Sequence, residues 1–137
     1  MTAIRLIACD LDGTLLLNGA QSLQENTCTL IRGLQKKGIQ FMPSSGRQYD
    51  NLIRLFAPVK DDIAYICQNG ASAWAEGEVL FRRIMDGEAA SRLIEEVKDH
   101  PEAEIMLSSF EACYVEAGKP EFFHLVQPRG HSHTQFP

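Results

Sequence analysis

The feature that most constrains this fold is a short apolar run that ends in two acids, Ile4-Arg5-Leu6-Ile7-Ala8-Cys9 followed by Asp10-Leu11-Asp12-Gly13-Thr14. The run extends from Ala3 to Cys9 and is broken only by Arg5. So short a stretch without polar alternation reads as a strand buried on both faces, as in a parallel sheet. Ligands of open α/β sheets bind just outside the carboxyl ends of the strands. Asp10 and Asp12 are therefore expected at the mouth of the sheet and not in its core, where Gly13-Thr14 breaks the strand.

Helix and strand patterns alternate from there. Ser22-x-x-Glu25 is a capping box, predicted to open a helix with Leu23, Thr27, Leu30, Ile31 and Leu34 on one face and Lys36-Lys37-Gly38 at its end. Ile39 to Met42 is a predicted strand, stopped by Pro43, that empties into Ser44-Ser45-Gly46-Arg47. A second helix carries Leu52, Ile53, Leu55 and Phe56 and closes at Pro58. Ala64 to Cys67 makes a third strand, ending at Gln68-Asn69-Gly70. Short connections in this order imply right-handed crossovers and an α/β fold, a Rossmann-like parallel three-layer sheet.

From Ala71 the pattern changes. Ser72 to Trp74 and Val79 to Phe81 flank Ala75-Glu76-Gly77-Glu78, the signature of a β-hairpin. Asp86 suits the cap of a helix striped by Ala90, Leu93, Ile94 and Val97, and Glu104 to Ser108 with Ala112 to Glu116 read as antiparallel strands. The expected organisation is a core over 1–83, the start of an α+β unit over 84–126, and a tail over 127–137 without fixed structure. Trp74 and Tyr49 are read as packing residues.

Composition excludes several classes. A net charge of −5 leaves no basic footprint for nucleic acid. No apolar run approaches the roughly 20 residues of a membrane span, and no leading apolar segment with a cleavage site is visible. The four cysteines, Cys9, Cys28, Cys67 and Cys113, lie far apart without a Cys-x-x-Cys, so reduced thiols and a cytoplasmic setting are expected. His124 and the pair His131-x-His133 lack the further ligands of a specific metal site.

Two acids one residue apart at a strand end can serve one site in different roles. One can attack phosphorus as a carboxylate nucleophile. The other can protonate the leaving oxygen and later take a proton from water. A phosphoryl group and a carboxylate repel each other, so such a site calls for Mg²⁺. Gly13 would let backbone amides near the phosphoryl oxygens. The competing reading is a solvated Asp-Gly turn, which Asp-x-Asp alone would favour. A calcium loop fails, because counting from Asp10 places Gln21 where a bidentate glutamate is needed. Ser44-Ser45-Gly46-Arg47 repeats the strand-end placement, with hydroxyls and amides suited to an anion. Taken singly it reads as a helix start, and Arg47 as an exposed surface residue, the alternatives being a contact to substrate or to the acids.

Together these stretches resemble the amino-terminal half of a haloacid dehalogenase-like (HAD) phosphatase of the Cof-type sugar-phosphatase branch. Asp10-Leu11-Asp12-Gly13-Thr14-Leu15-Leu16 matches the superfamily's first motif, and Phe41-Met42-Pro43-Ser44-Ser45-Gly46-Arg47 resembles its second. Ile66-Cys67-Gln68-Asn69-Gly70-Ala71 resembles the Asn-Gly-Ala segment of the branch. The resemblance, over residues 4 to 126, implies Asp10 as nucleophile and Mg²⁺ ligand. It implies Asp12 as acid–base residue, giving its backbone carbonyl to the metal. Leu11, Gly13, Ser45 and Gly46 would hold the phosphoryl group, Arg47 and Asn69 the rest of a small phosphorylated metabolite. The block from Ile84 resembles the first half of an inserted cap.

Family members are about twice this length, and a lysine and a Gly-Asp segment with a further metal acid should follow the cap. No such lysine or acid occurs here. The chain is expected to be a truncated phosphatase whose tail after Val126 is out-of-frame or foreign. Two function classes follow: a Mg²⁺-dependent phosphatase working through an aspartyl-phosphate, and a catalytically silent fragment that binds only phosphate or a partner chain. Truncation would also leave the Ala3–Cys9 strand at a sheet edge, open to self-association.

Overall fold

The computed structural model describes residues 4–110, 112–116, 120–126 and 133–136. Two compact units divide between Arg83 and Ile84. In the first, β1 (Leu6–Cys9), α1 (Thr27–Gln35), β2 (Gln40–Pro43), α2 (Tyr49–Leu55) and β3 (Tyr65–Cys67) alternate, followed by β4 (Ser72–Ala75) and β5 (Glu78–Arg82).

β1 and β2 pair in parallel, Leu6 opposite Gln40 and Cys9 opposite Pro43. The ladder reaches β3 through a single parallel bridge, Ser44 to Ile66, with the Ser45 N–H donating to the Ile66 carbonyl at 3.0 Å. β4 and β5 extend the other side of β3 as an antiparallel hairpin turning at Glu76-Gly77. Leu11, Leu16, Ile31, Phe41, Leu52, Phe56, Val59, Ile63, Tyr65 and Cys67 form the core. Tyr49 stacks on Trp74 with ring centroids 4.0 Å apart and meets Tyr65 edge-on at 5.4 Å, so both Tyr49 and Trp74 are engaged in packing.

The first strand departs from expectation. β1 is not buried on both faces: Leu6 is 50% exposed and Ile4 70%. Among the described residues it pairs with β2 alone, so apolar character suited to a central strand stands at an edge. The Gln40 N–H donates to the Arg5 carbonyl and the Ser44 N–H to the Cys9 carbonyl, both at 2.8 Å. Backbone groups alternate sides along a strand, so Leu6 and Ala8 turn their N–H and C=O away from β2.

The capping box does not form. α1 starts at Thr27 after Asn26, with no side-chain cap. Leu23 packs on the core ahead of the helix, and the Thr27 N–H is taken by the Gln24 carbonyl at 3.0 Å, so the chain is still turning at Ser22 and Glu25. Ile31 is buried on this helix and Leu30 is exposed. Pro43 ends β2 from within, since its missing N–H costs a ladder bond only where one is needed.

The second unit contains α3 (Gly87–Lys98), β6 (Met106–Ser108), β7 (Cys113–Glu116), α4 (Pro120–Val126) and β8 (His133–Phe136). Asp86 caps α3 by accepting the Ala89 N–H at 3.0 Å. Leu93 is exposed, so the α3 stripe is only partly covered. β6 and β7 are antiparallel, and β8 adds in parallel to β7. His133–Phe136 was expected within an unstructured tail, but backbone pairing with an existing strand requires no side-chain periodicity. Residues 127–132 and 137 lie outside the described residues. Among the described residues no helix is long and apolar enough to cross a membrane.

Candidate active site

Burial of one leucine sets the two acids. Leu11 is fully buried in the core, while Asp10 and Asp12 on either side of it are exposed. The Leu11 carbonyl accepts the N–H groups of Thr14 (3.0 Å), Leu15 (2.9 Å) and Leu16 (2.8 Å), and the Gly13 N–H returns to the Leu16 carbonyl at 3.0 Å. Leu16 is buried as well, which pins the turn at both ends. Gly13 has φ +85°, a conformation that glycine adopts without steric cost. Its own N–H is committed to the Leu16 carbonyl. The N–H groups of Leu11 and Asp12 have no hydrogen-bond partner among the described residues.

The second loop is tied to the first and to the third. The Ser44 N–H donates to the Cys9 carbonyl (2.8 Å), and the carbonyls of Ser45 and Arg47 accept the N–H groups of Asn69 (3.1 Å) and Gln68 (3.0 Å). Ser45 is 6% exposed. Its Oγ accepts the Arg47 N–H at 3.3 Å, which leaves the hydroxyl proton available to an acceptor. α2 begins only at Tyr49 and spans 7 residues without a side-chain cap, so any anion contact here belongs to the loop.

A cleft of ≈ 510 Å³ opens among Ala8, Cys9, Asp10, Ser44, Ser45, Gly46 and Asn69. Asp10 and Ser45, from the ends of neighbouring parallel strands, thus share one space, and Gly46 and Asn69 join them. Cys9 was not foreseen in this lining. Burial, with the Asp10 charge beside it, pushes its thiol up, and the Sγ–H donates to the Asp10 carbonyl at 3.3 Å.

Asp12 and Arg47 do not line that cleft; they bind each other. Arg47 Nη2 meets Asp12 Oδ1 at 2.8 Å and Nε meets Oδ2 at 3.3 Å, a two-pronged contact. Arg47 Nη1 donates to Asn51 Oδ1 at 3.2 Å. The Arg47 side chain is only 15% exposed, against 63% for Asp12, so it is not the surface residue expected. No local pattern marks Arg47 for this role: it precedes α2, which begins at Tyr49 after an extended Gln48, and Asp12 is distant in the chain.

The acids can be tested against a hard cation. The Asp10 carboxylate and the Asp12 carbonyl oxygen accept no hydrogen bond from another described residue. One carboxylate and one carbonyl, completed by water and phosphoryl oxygens, suit Mg²⁺. The Asp12 carboxylate is held by Arg47, so only the Asp12 backbone remains as a second protein ligand. Among the described residues no three His, Cys, Asp or Glu side chains cluster for a metal. His124 packs edge-on to Phe123 with ring centroids 6.0 Å apart, and His131 lies outside the described residues.

Comparison with known proteins bears on the family and the fold. The haloacid dehalogenase-like hydrolase family matches residues 7–136. The chain is 30% identical over 112 residues to the 5-amino-6-(5-phospho-D-ribitylamino)uracil phosphatase YbjI of Escherichia coli K12, covering 82% of this chain and 41% of that protein. A solved protein from Eubacterium rectale superposes with a TM-score of 0.86 at 31% identity, covering 97% of this chain and 51% of the other. The HAD subclass IIB sugar phosphatase BT4131 shares the fold, with a TM-score of 0.71 at 18% identity over 96% and 52% of the two chains. The chain therefore spans about half the length of these solved relatives.

Proposed function

Because the chain belongs to the haloacid dehalogenase-like hydrolase family, we propose that it carries the phosphoryl-accepting part of a Mg²⁺-dependent phosphatase for small phosphorylated metabolites, sugar phosphates among them. The observation that carries this reading is the meeting of Asp10 and Ser45 on one cleft at the ends of neighbouring parallel strands. The names of YbjI, a phosphatase of a phosphoribitylamino compound, and of BT4131, a sugar phosphatase, support the substrate class. Four free thiols support a cytoplasmic setting.

An Asp10 carboxylate oxygen attacks phosphorus, and the bond to the substrate's leaving oxygen breaks as Asp12 gives that oxygen a proton. The phosphoryl group is then an aspartyl-phosphate on Asp10. Water attacks the same phosphorus and Asp12 takes its proton. The bond to Asp10 breaks, releasing inorganic phosphate and restoring the carboxylate. The Ser45 hydroxyl and the N–H groups of Leu11 and Asp12 hold phosphoryl oxygens, and Gly46 keeps the loop slim. The Asp10 carboxylate and the Asp12 carbonyl would hold Mg²⁺, which would supply neutralisation of the phosphoryl charge. The Arg47 fork leaves Asp12 an acceptor, which suits taking a proton from water. To serve as an acid, Asp12 must first gain a proton and release at least one guanidinium N–H.

Binding without turnover is the second reading, favoured by a cleft that no lysine lines and by the absence of a third acid among the described residues. Phosphoryl transfer depends on positioning and charge neutralisation, and one cationic finger alone is worth about 10³–10⁵ in rate. Hydrolysis of an aryl phosphate by this chain with Mg²⁺ is therefore expected to be negligible. Acetyl phosphate needs less help from an acid, and should leave a hydroxylamine-labile phosphoryl group on Asp10. No adduct in a chain that still binds orthovanadate selects the binding-only reading. An adduct that survives Asp10→Asn refutes the nucleophile. Robust aryl phosphate turnover, lost in Asp10→Asn, would instead show that another chain supplies the missing groups.

A further inference from the structure

The turn after β3 holds three successive residues in the left-handed region: Gln68 at φ 53°, Asn69 at 56° and Gly70 at 89°. The conformation is costly for the glutamine side chain and less so for asparagine, and Gln68 persists there only where its surroundings over-determine it. Here the surroundings do so. The Gln68 N–H donates to the Arg47 carbonyl at 3.0 Å, the Asn69 N–H to the Ser45 carbonyl at 3.1 Å, and the Ala71 N–H closes on the Gln68 carbonyl at 3.1 Å.

The consequence is where the Asn69 carboxamide comes to lie. A Cβ placed on Gly46 would stand 2.9 Å from Asn69 Oδ1, 3.3 Å from Nδ2 and 3.4 Å from Cγ. Gly46 is not in the left-handed region, so its backbone makes no demand for glycine; the carboxamide resting on it does. That carboxamide makes no hydrogen bond to another described residue. Asn69 and Gly46 both line the cleft that holds Asp10 and Ser45. A turn of high conformational cost, clamped by two carbonyls and given a glycine-sized gap, presents an uncommitted amide to that cleft.

We propose that Asn69 is a ligand-binding residue whose Nδ2–H donates to a phosphoryl oxygen of the substrate, and that Gly46 is the residue that makes room for it. The inference rests on the phosphatase reading and adds a side-chain donor to the cleft shared by Asp10 and Ser45. Asn51 and Arg47 serve Asp12; Asn69 serves the ligand.

The test uses the whole chain with Mg²⁺ and inorganic phosphate as probe, titrated by heteronuclear NMR, beside a thermal melt. Asn69→Gly relieves the left-handed cost while removing the amide. It should weaken phosphate binding about tenfold, the size of one hydrogen bond to a charged group, and leave the melting midpoint equal or higher. Gly46→Ala should weaken binding by displacing the amide, and adding it to Asn69→Gly should cost little more. A fall in both affinity and melting midpoint in Asn69→Gly would make Asn69 a structural residue and overturn the proposal. Wild-type affinity in Asn69→Gly alongside weakened binding in Ser45→Ala would sink Asn69 but spare the phosphoryl site. Affinity unchanged in both variants, or no phosphate binding by the wild-type chain, would remove the site and the proposal together.

Discussion

The Asp12–Arg47 pair makes an asymmetric prediction. Its two partners see different environments, 15% side-chain exposure for Arg47 and 63% for Asp12. Asp12→Ala leaves a mostly enclosed guanidinium with Asn51 Oδ1 as its remaining acceptor at 3.2 Å. An unpaired buried charge can cost 3–5 kcal/mol; with one hydrogen bond kept and some water access, about 1.5–3 kcal/mol is expected. Arg47→Met keeps the apolar stem and leaves a carboxylate that water solvates freely, at about 0.5–1 kcal/mol. The double variant should cost little more than Arg47→Met, giving a coupling of about 1 kcal/mol or more. Urea denaturation of the four chains at neutral pH and one ionic strength measures this, provided that the slope is unchanged. Arg47→Met costing more than Asp12→Ala, or strict additivity, would refute the reasoning that the arginine is the enclosed partner and Asp12 the solvated one.

Two further outcomes follow from other parts of the molecule. Among the described residues the N–H and C=O groups of Leu6 and Ala8 have no partner, and their apolar side chains stand at the β1 edge, so the chain should self-associate as concentration rises in sedimentation. Ala8→Pro, which removes an outward N–H and no β1–β2 bond, should shift it toward monomer; a monomer at every concentration would rule this out. Burial pushes the Cys67 thiol from its ordinary 9.0 up to about 12. The unfolded thiol therefore ionises first, and the Cys67 contribution to stability should be full below about pH 9 and fall by about 1.4 kcal/mol per pH unit from there toward 12. Cys67→Ala should flatten that part of the profile, leaving the contributions of Cys9, Tyr49 and Tyr65, which burial also raises; an unchanged slope would contradict the assignment.

Patterns confined to one element were legible in advance. The alternation of β1, α1, β2, α2 and β3 followed from apolar periodicity, and the Asp86 cap and the hairpin about Glu76-Gly77 from local turn chemistry. Asp10 and Ser45 could be placed on one side of the sheet because parallel strands bring their carboxyl ends together. The capping box failed where a local pattern met a non-local pull, the packing of Leu23 on the core ahead of the helix.

What the sequence by itself determined is the set of chemical groups and the strand ends that carry them: Asp10 and Asp12 after β1, Ser45 after β2, Asn69 after β3. Tertiary structure decided how those groups divide the work. Arg47 turned from the surface to grip Asp12, Asn69 came to rest on Gly46, and β1 paired with β2 alone among the described residues. Each of these outcomes depends on residues far apart in the chain meeting at hydrogen-bonding or van der Waals distance. Periodicity and composition describe a residue's neighbours along the chain, and the neighbours that matter here are set only when the strands pair.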